Sequence, residues 1–253
     1  MKSHHETVYQ QFDEQANSYL TSAVHAAGED LAALKVTLGN EPNATVLDLG
    51  CGAGHASFAI SQQVKSVTAY DLSDSMLEVV AQTTKDRGFD NIATQKGMVE
   101  SLPFPDHHFD IVISRYSAHH WHDVDRALRE VKRVLKPQGR VIFIDVVSPG
   151  NPVFDIFLQT VEVLRDTSHI RDYPAGEWVR MFNHAELFLK NTQSFRLRLE
   201  FSSWVKRMRT PDVLVSAIRA YQATLSQDVK HYFEVEADGS FTSDVMLFEL
   251  LSL

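Results

Sequence analysis

The chain has 253 residues, of which 44% are hydrophobic and 23% charged, as in ordinary soluble globular proteins. Its formal net charge of -9 argues against non-specific binding to nucleic acid, which depends on neutralising phosphates. A single cysteine excludes an internal disulfide framework and a zinc site of the CxxC type. No apolar run has the ~18 residues of a membrane helix, and the first segment resembles no secretory signal, so we expect a cytoplasmic protein.

The apolar pattern predicts helices and strands in a regular order. A first helical segment places Phe12, Ala16, Tyr19 and Leu20 on one face. A glycine-rich turn then leads into a helix that we expect to include Val64. Five strands are predicted with helices between them, at residues 46–49, 66–70, 91–95, 109–114 and 140–147.

The pattern loosens after Pro149. We expect helices over 154–164, 178–190 and 211–225, a strand over 195–201, and a hairpin that turns at Asp238-Gly239. Alternating strands and helices form a parallel sheet covered on both faces, and such sheets bind ligands beyond the carboxyl ends of their strands. The residues that follow each strand are therefore the candidates for chemistry.

The segment 45–60, TVLDLGCGAGHASFAI, joins a strand to a helix through three glycines. Glycines let the backbone approach a nucleotide-like cofactor, and the helix beyond them offers free N–H groups. A phosphate loop for ATP needs GxxxxGK[ST], and no Lys-Ser or Lys-Thr follows these glycines. A dinucleotide loop needs a glycine or alanine where His55 stands, which disfavours an NAD(P)-dependent oxidoreductase but leaves it open.

The third candidate is S-adenosylmethionine, which carries positive charge and no phosphate. The carboxylate of Asp48 at the end of the strand suits that charge and would repel a pyrophosphate. Gly50 and Gly52 leave room for the methionine part. Asp71 ends the second strand, where it can accept hydrogen bonds from both ribose hydroxyls.

Four segments in order resemble motifs of the class I S-adenosylmethionine-dependent methyltransferases: VLDLGCGAG, AYDLS, ESLPFPDHHFDIVISRYSAHH and ALREVKRVLKPQGRVIFID. The resemblance is greatest to the ubiquinone/menaquinone-biosynthesis methyltransferases. It implies an α/β fold with a doubly wound, mostly parallel, seven-stranded Rossmann-like sheet, helices on both faces and a helical lid. It also implies one domain over 1–253, with a helical lid over 1–42, a cofactor-binding core over 43–147, and a substrate lid that completes the sheet over 148–253.

The resemblance also implies which residues bind the cofactor. Met98 stands where the family often has an Asp, so the adenine would be held by apolar packing and by the N–H of Val99. The implied set is Asp48, Gly50, Cys51, Gly52, Ala53, Asp71, Leu72, Met76, Met98, Val99, Ser114 and, from the N-terminal helix, Tyr19.

His119 and His120 follow the fourth strand in RYSAHHWHD and are the candidate catalytic residues. Methyl transfer from a sulfonium requires alignment of the acceptor and, for a hydroxyl or carbon acid, a base. An imidazole titrates near neutral pH, although a packing or cofactor-contact role stays open for both residues. His122 and Asp123 would complete only part of a metal site, so we expect no metal.

We therefore expect methyl transfer from S-adenosylmethionine to a small molecule that is anionic or aromatic. Trp178 and Trp204 either line its cavity or belong to the core. A cofactor-binding protein without catalysis remains an alternative beside the oxidoreductase. A basic cluster is either a solvated face or a patch that receives an anionic acceptor, and its members are Arg196, Arg198, Lys206, Arg207 and Arg209.

Overall fold

A single seven-stranded sheet forms the centre of the computed structural model, which describes residues 3–13 and 28–253. Across the sheet the strands follow the order β3-β2-β1-β4-β5-β7-β6. In chain order they are β1 Glu41–Leu49, β2 Val64–Asp71, β3 Ile92–Lys96, β4 Phe109–Arg115, β5 Leu135–Val147, β6 Leu187–Leu199 and β7 Phe241–Ser252.

Helices cover the sheet, and no helix in the described ranges is long and apolar enough to span a bilayer. Short 3-10 turns over Ser61–Gln63 and Ala118–His120 accompany them. The helices are α1 His4–Asp13, α2 Glu29–Leu38, α3 His55–Ile60, α4 Asp74–Asp86, α5 Val124–Val134, α6 Pro152–Arg165, α7 Ala175–His184, α8 Phe201–Arg207, α9 Asp212–Ala223 and α10 Gln227–Tyr232.

The sheet contains both parallel and antiparallel pairs. β1 pairs in parallel with β2 and with β4, β2 pairs likewise with β3, and β4 with β5. β7 runs antiparallel between β5 and β6. β2 and β4 lie on opposite sides of β1, so the strand order reverses at β1. A crevice opens there beyond the carboxyl ends of β1 and β4, as the Rossmann-like architecture predicts.

Hydrophobic layers fix the sheet between its helices. Leu47 and Leu49 face a core that includes α5 and α7, whereas Val46 faces a core that includes α2 and α3. The predicted amphipathic helix is confirmed in α5, where Asp123 caps the first turn by accepting a hydrogen bond from the N–H of Arg126 at 2.9 Å. Such packing holds the strand ends, and therefore the site, in fixed positions.

Three expected elements differ in the structure. Val64 begins β2 rather than ending a helix, because the chain leaves α3 through the 3-10 turn at Ser61–Gln63. The helix predicted over 178–190 ends at His184, and the strand predicted over 195–201 begins earlier, at Leu187. β6 is an edge strand whose residues 188–192 are all exposed, so this first half lacks the alternation that marks the half-buried second half.

The hairpin predicted at Asp238-Gly239 is also wrong. β7 receives its partners from β5 and β6, which leaves the residues before it to form a turn. In that turn the N–H of Ser240 donates to Asp238 Oδ1 at 2.9 Å, and the N–H of Thr242 donates to the carbonyl of Phe233 at 2.7 Å. A turn signal thus marks the chain reversal here without specifying a pair of neighbouring strands.

Candidate active site

A first cavity lies beyond the carboxyl ends of β1 and β2, beneath helix α1. It contains ten of the residues that the sequence predicts for cofactor binding, and these come from the glycine loop, the end of β2, helix α4 and the loop after β3. The ten are Asp48, Gly50, Cys51, Gly52, Ala53, Asp71, Leu72, Met76, Met98 and Val99.

Two predicted residues are not part of this cavity lining. Ser114 is buried within the sheet, where its hydroxyl donates to the carbonyl of Leu49 at 2.8 Å and ties β4 to β1. Tyr19, with Ala16 and Leu20, lies outside the described residues. Ser114 therefore holds the strand that carries the site, without lining it.

The glycine loop is bound to the neighbouring strand by its backbone. The N–H groups of Gly50 and Cys51 both donate to the carbonyl of Tyr70, at 2.9 and 3.0 Å. Gly50 has φ +71°, and a Cβ there would lie 1.9 Å from Ser117 Oγ. Gly52 has φ +50°, and a Cβ there would meet no atom within 4 Å. A contact within the protein, with Ser117, therefore requires a glycine at position 50, whereas Gly52 borders open space in the cavity.

We expect Gly50→Ala to lower the free energy of unfolding by about 1–3 kcal/mol more than Gly39→Ala does. Both positions have positive φ, but a Cβ at Gly39 meets nothing within 4 Å. The control variant Gly39→Ala therefore measures the cost of backbone strain without a steric contact. Urea denaturation of the two variants measures the difference. Equal losses would show that the loop absorbs the contact with Ser117.

Asp48 is a buried carboxylate at the floor of the first cavity. Its Oδ2 accepts a hydrogen bond from the hydroxyl of Ser57 at 2.6 Å. Its Oδ1 is buried and has no hydrogen-bond partner among residues 3–13 and 28–253. Burial raises the pKa of Asp48 from 3.8 to about 6. An unsatisfied carboxylate oxygen of this kind suits a cationic group of a ligand.

Asp71 is fixed at the rim of the glycine loop by two backbone donors. Gly52 N–H donates to Oδ2 at 2.8 Å, and Ser73 N–H donates to Oδ1 at 2.9 Å. Each carboxylate oxygen has a further lone pair, so two ligand hydroxyls can still donate to this group. Burial raises the pKa of Asp71, although these backbone hydrogen bonds oppose that effect.

Helix α1 contacts both the loop after β3 and the C-terminal part of the chain. His5 Nε2 lies 3.2 Å from Glu100 Oε2, and Gln11 donates to the carbonyl of Met208 at 3.0 Å. The ring of Phe12 meets that of His120 edge-on, with centroids 4.9 Å apart. The helix therefore covers the first cavity from one side.

A second cavity adjoins the first and reaches toward α6, α8 and β6. Phe12, Tyr116 and His120 line both cavities, so these three residues mark the junction between them. Tyr116 has φ +53°, a strained conformation for an aromatic residue. The remaining lining residues are His119, Val146, Glu162, Arg165, Asp172, Leu197, Leu199, Trp204 and Arg207.

The two candidate catalytic histidines have different surroundings. His119 Nδ1 lies 2.6 Å from Asp145 Oδ1, and the side chain of His119 lines the second cavity but not the first. His120 Nδ1 lies 3.1 Å from the carbonyl oxygen of Ser168. The structure therefore places the pair side by side, with ring centroids 4.3 Å apart, but only His120 at the junction.

The basic cluster divides between two roles. Arg196 pairs with Asp244 at 2.7 Å and Arg198 pairs with Glu236 at 2.6 Å, both at the surface, whereas Arg207 lines the second cavity. The tryptophans divide likewise. Trp178 is buried in the core against Phe182, and Trp204 lines the second cavity.

Several lining residues escaped the sequence analysis. Arg115 is the last residue of β4, and Tyr116 and Ser117 follow it directly, so the rule that strand ends carry the site could have identified them. Glu162 and Asp172 come from the region after Pro149, where no motif marks them. In the part of the chain that the structure describes, no group of three or more His, Cys, Asp or Glu side chains could hold a metal ion.

Comparison with known proteins identifies close relatives over most of the chain. The family model described as a methyltransferase domain matches residues 47–143. The chain is 58% identical to YafE of Escherichia coli K12 over 200 residues, which are 79% of this chain and 97% of YafE. It is 40% identical to the methyltransferase YcgJ of Bacillus subtilis over 200 residues, 79% of either chain.

The fold agrees with these sequence matches. The crystal structure of YcgJ has a TM-score of 0.84 and 35% identity, with 88% of this chain and 97% of YcgJ covered. The ubiquinone/menaquinone biosynthesis C-methyltransferase UbiE of Shewanella oneidensis is 37% identical over 119 residues, 46% of this chain and 47% of UbiE. The resemblance predicted from the sequence motifs is thereby confirmed.

Proposed function

Because the chain belongs to the S-adenosylmethionine-dependent methyltransferases, we propose that it methylates a small anionic or aromatic acceptor held in the second cavity. The observation that carries this proposal is the junction of the two cavities at Phe12, Tyr116 and His120. Among the described residues these three line both cavities, so a methyl group delivered from the first cavity would meet an acceptor in the second beside them. S-adenosylmethionine, when bound, supplies a methyl group on a positively charged sulfonium.

The first cavity fits this cofactor at three positions. Asp48 Oδ1, buried and without a hydrogen-bond partner in the described chain, would accept the positive charge of the methionine part. The open space at Gly52 allows the ligand to approach the backbone. Asp71, held by Gly52 and Ser73, would accept hydrogen bonds from the ribose hydroxyls.

The adenine would lie among apolar side chains after β2 and β3. Leu72, Met76 and Met98 line that end of the first cavity. The carbonyl of Met98 already accepts the hydroxyl hydrogen of Tyr70 at 3.1 Å, which fixes the loop that carries Val99. The backbone N–H of Val99 would then provide the selective contact, because the side chain of Met98 offers no strong acceptor.

The second cavity combines apolar walls with cationic groups. Leu197, Leu199 and Trp204 provide apolar and aromatic surface, and Arg165 and Arg207 provide positive charge. Arg165 is paired with Glu162 at 3.2 Å and lies over the ring of Trp204 at 4.9 Å. An acceptor with a flat apolar part and an anionic group suits this combination.

Helix α1 would act as the lid of both cavities. Phe12 lines each of them, while His5 and Gln11 tie the helix to opposite parts of the protein. Exclusion of water by such a cover would favour transfer to the acceptor over side reactions.

Calorimetric titration with S-adenosylhomocysteine, NADH and NADPH in parallel tests the cofactor assignment. We expect S-adenosylhomocysteine to bind with a micromolar dissociation constant, which corresponds to a binding free energy of about -8 kcal/mol. We expect no binding of NADH or NADPH. Binding of a nicotinamide nucleotide alone would contradict the assignment and revive the oxidoreductase alternative. Cofactor binding without methyl transfer to a broad acceptor panel would instead favour a protein that has lost catalysis.

A further inference from the structure

His120 has an unprotonated nitrogen in its neutral form. Its Nδ1 lies 3.1 Å from the carbonyl oxygen of Ser168, and a carbonyl can only accept, so Nδ1 carries the hydrogen. The hydroxyl of Ser168 donates to Asp166 Oδ1 at 2.6 Å and so offers no competing donor. Nε2 of the neutral ring therefore keeps its lone pair.

The carboxylate of Asp166 lies near His120 Nε2 and can stabilise a proton on it. Asp166 Oδ2 lies 3.8 Å from His120 Nε2, is buried, and forms no hydrogen bond with a described residue. Burial and the neighbouring His119 lower the pKa of His120 to about 4, so the ring is neutral near pH 7 and would hold a transferred proton only transiently. A proton that arrives on Nε2 gains an electrostatic partner in Asp166.

His119 is arranged as the cation of the pair. Its Nδ1 donates to Asp145 Oδ1 at 2.6 Å, and Asp145 is itself fixed by the N–H groups of Ala118 at 2.9 Å and Val146 at 2.8 Å. Burial opposes the charge, but Asp145 raises the pKa of His119 to about 9. No described residue hydrogen-bonds to Nε2 of His119, which leaves this donor for a ligand in the second cavity.

The junction of the cavities contains one suitable base. Phe12 has no titratable group. Burial raises the pKa of Tyr116 far above neutral pH, and its hydroxyl is hydrogen-bonded to Asp30, so this residue keeps its proton. His120 is left as the side chain among the three shared lining residues that can take a proton where acceptor and methyl group meet.

Resting on the proposed function, we propose that the acceptor is a hydroxyl or carbon acid, such as a phenol or an enolisable 1,3-dicarbonyl compound, with divided roles for the two histidines. His120 is the base that removes the proton of the acceptor. His119 stabilises the anion so formed, and Asp145 is the positioning residue that holds His119 in its cationic form.

The step balances in atoms and charge. The acceptor proton moves to His120 Nε2, and the acceptor oxygen or carbon uses the electron pair left behind to bond the methyl carbon. The carbon–sulfur bond breaks and its electron pair stays on sulfur, so the leaving group is a neutral thioether. His120 later releases the proton to water. A thiolate or a neutral amine needs no such base, and the ammonium product of an amine would be repelled by the His119 cation.

The charged and titratable groups around the pair include Arg207 of α8, which lines the second cavity, and His4 of α1, whose Nε2 lies 2.9 Å from the carbonyl oxygen of His120. The 3-10 turn holds the histidines themselves, β5 supplies Asp145, and α6 supplies Glu162 and Arg165. The segment after α6 supplies Asp166, His169 and Asp172. Burial lowers the pKa of His169 to about 2, so this ring is neutral near pH 7. Burial raises the pKa of Asp172, and the charge of Asp172 raises the pKa of His119.

Nitrogen NMR of the protein labelled with 15N-histidine tests the roles without any acceptor. We expect His119 as an imidazolium at pH 7, and His120 as the neutral tautomer with hydrogen on Nδ1. His119→Asn and His120→Asn assign the signals, because an asparagine amide retains the donor that corresponds to Nδ1 and removes Nε2. A proton on Nε2 of His120 at pH 7 would overturn its role as base.

Transfer of radiolabelled methyl tests the acceptor class, with pools of phenols, 1,3-dicarbonyl compounds, thiols and amines. We expect label in the first two pools, and a loss of about 10²- to 10⁴-fold in rate for His120→Asn. Asp145→Asn should move the alkaline limit of the pH–rate profile below about 9, since His119 then loses its proton at lower pH. His184→Asn, on the exposed end of α7, is the matched control and should leave the rate unchanged.

The outcomes separate this inference from the function on which it rests. Label in thiols or amines alone overturns the acceptor class, whereas label in no pool while S-adenosylhomocysteine still binds overturns the proposed methyl transfer as well. An unchanged rate in His120→Asn overturns the base, and an unmoved alkaline limit in Asp145→Asn overturns the positioning role. Failure to bind S-adenosylhomocysteine at all overturns the proposed function itself.

Discussion

Replacing Asp71 with alanine is expected to weaken the binding of S-adenosylhomocysteine by about 10²- to 10⁴-fold. The carboxylate would accept hydrogen bonds from two ribose hydroxyls, and each hydrogen bond to a charged group is worth about 1.5–3 kcal/mol. Calorimetric titration of the variant beside the unaltered protein measures the loss. Asp90→Ala is the matched control, because Asp90 is exposed and lines neither cavity.

Asp71 also supports the loop, since it accepts hydrogen bonds from Gly52 and Ser73. Asp71→Asn keeps part of this support, because its amide oxygen still accepts one of the two backbone hydrogen bonds while its NH2 group faces the other N–H and the negative charge is gone. We expect this variant to lower the urea denaturation midpoint less than Asp71→Ala does, and to bind S-adenosylhomocysteine less tightly than the unaltered protein. Unchanged affinity in Asp71→Ala would remove the ribose assignment.

Asp48→Asn is expected to stabilise the free protein while weakening cofactor binding. The raised pKa means that folding favours the protonated carboxyl, so the folded state gains stability below about pH 4 and loses it as the pH rises to about 6. Above that range the buried charge lowers the free energy of unfolding by about 3 kcal/mol. An asparagine carries no charge, so the variant should recover part of that stability at pH 7.

Cofactor binding should change in the opposite direction in the same variant. The ammonium group of the ligand would lose its carboxylate partner, which predicts a loss of about 10- to 150-fold in affinity at pH 7. Urea denaturation between pH 4 and 7 and calorimetry at pH 7 measure the two effects. A variant that is less stable than the unaltered protein, or that binds equally well, contradicts the assigned role of Asp48.

The lining of the first cavity could be predicted from the sequence because its residues are local to strand ends. Gly50 and Gly52 follow β1 within three residues, Asp71 is the last residue of β2, and parallel strands bring their carboxyl ends to one edge. Ser114 also ends a strand, but its side chain turns into the sheet toward Leu49. Whether a residue near the end of a strand faces the cavity depends on the alternation of side chains along that strand. A buried strand with apolar residues on both faces does not show this alternation in its sequence.

The lining of the second cavity could not be predicted in the same way. Arg165 lies on a helix, Leu199 on an edge strand and Trp204 on a short helix, and only the tertiary packing brings them together. The antiparallel placement of β7 creates this arrangement, whereas the local signal at Asp238-Gly239 indicated a hairpin. A turn motif specifies a reversal of direction and leaves the choice of strand partner to the rest of the chain.

The insertion of β7 between β5 and β6 also orders the assembly of the protein. β6 joins the sheet through β7, which is synthesised later, whereas β1 to β5 pair among themselves. Long-range strand pairing is slow, because loop closure must precede the contacts that reward it. The first cavity can therefore form on the growing chain before the second cavity, whose wall includes Leu197 and Leu199 of β6. Until β7 emerges, β6 has no strand partner and one edge of β5 is unpaired, and both edges expose the nascent chain to aggregation during this interval.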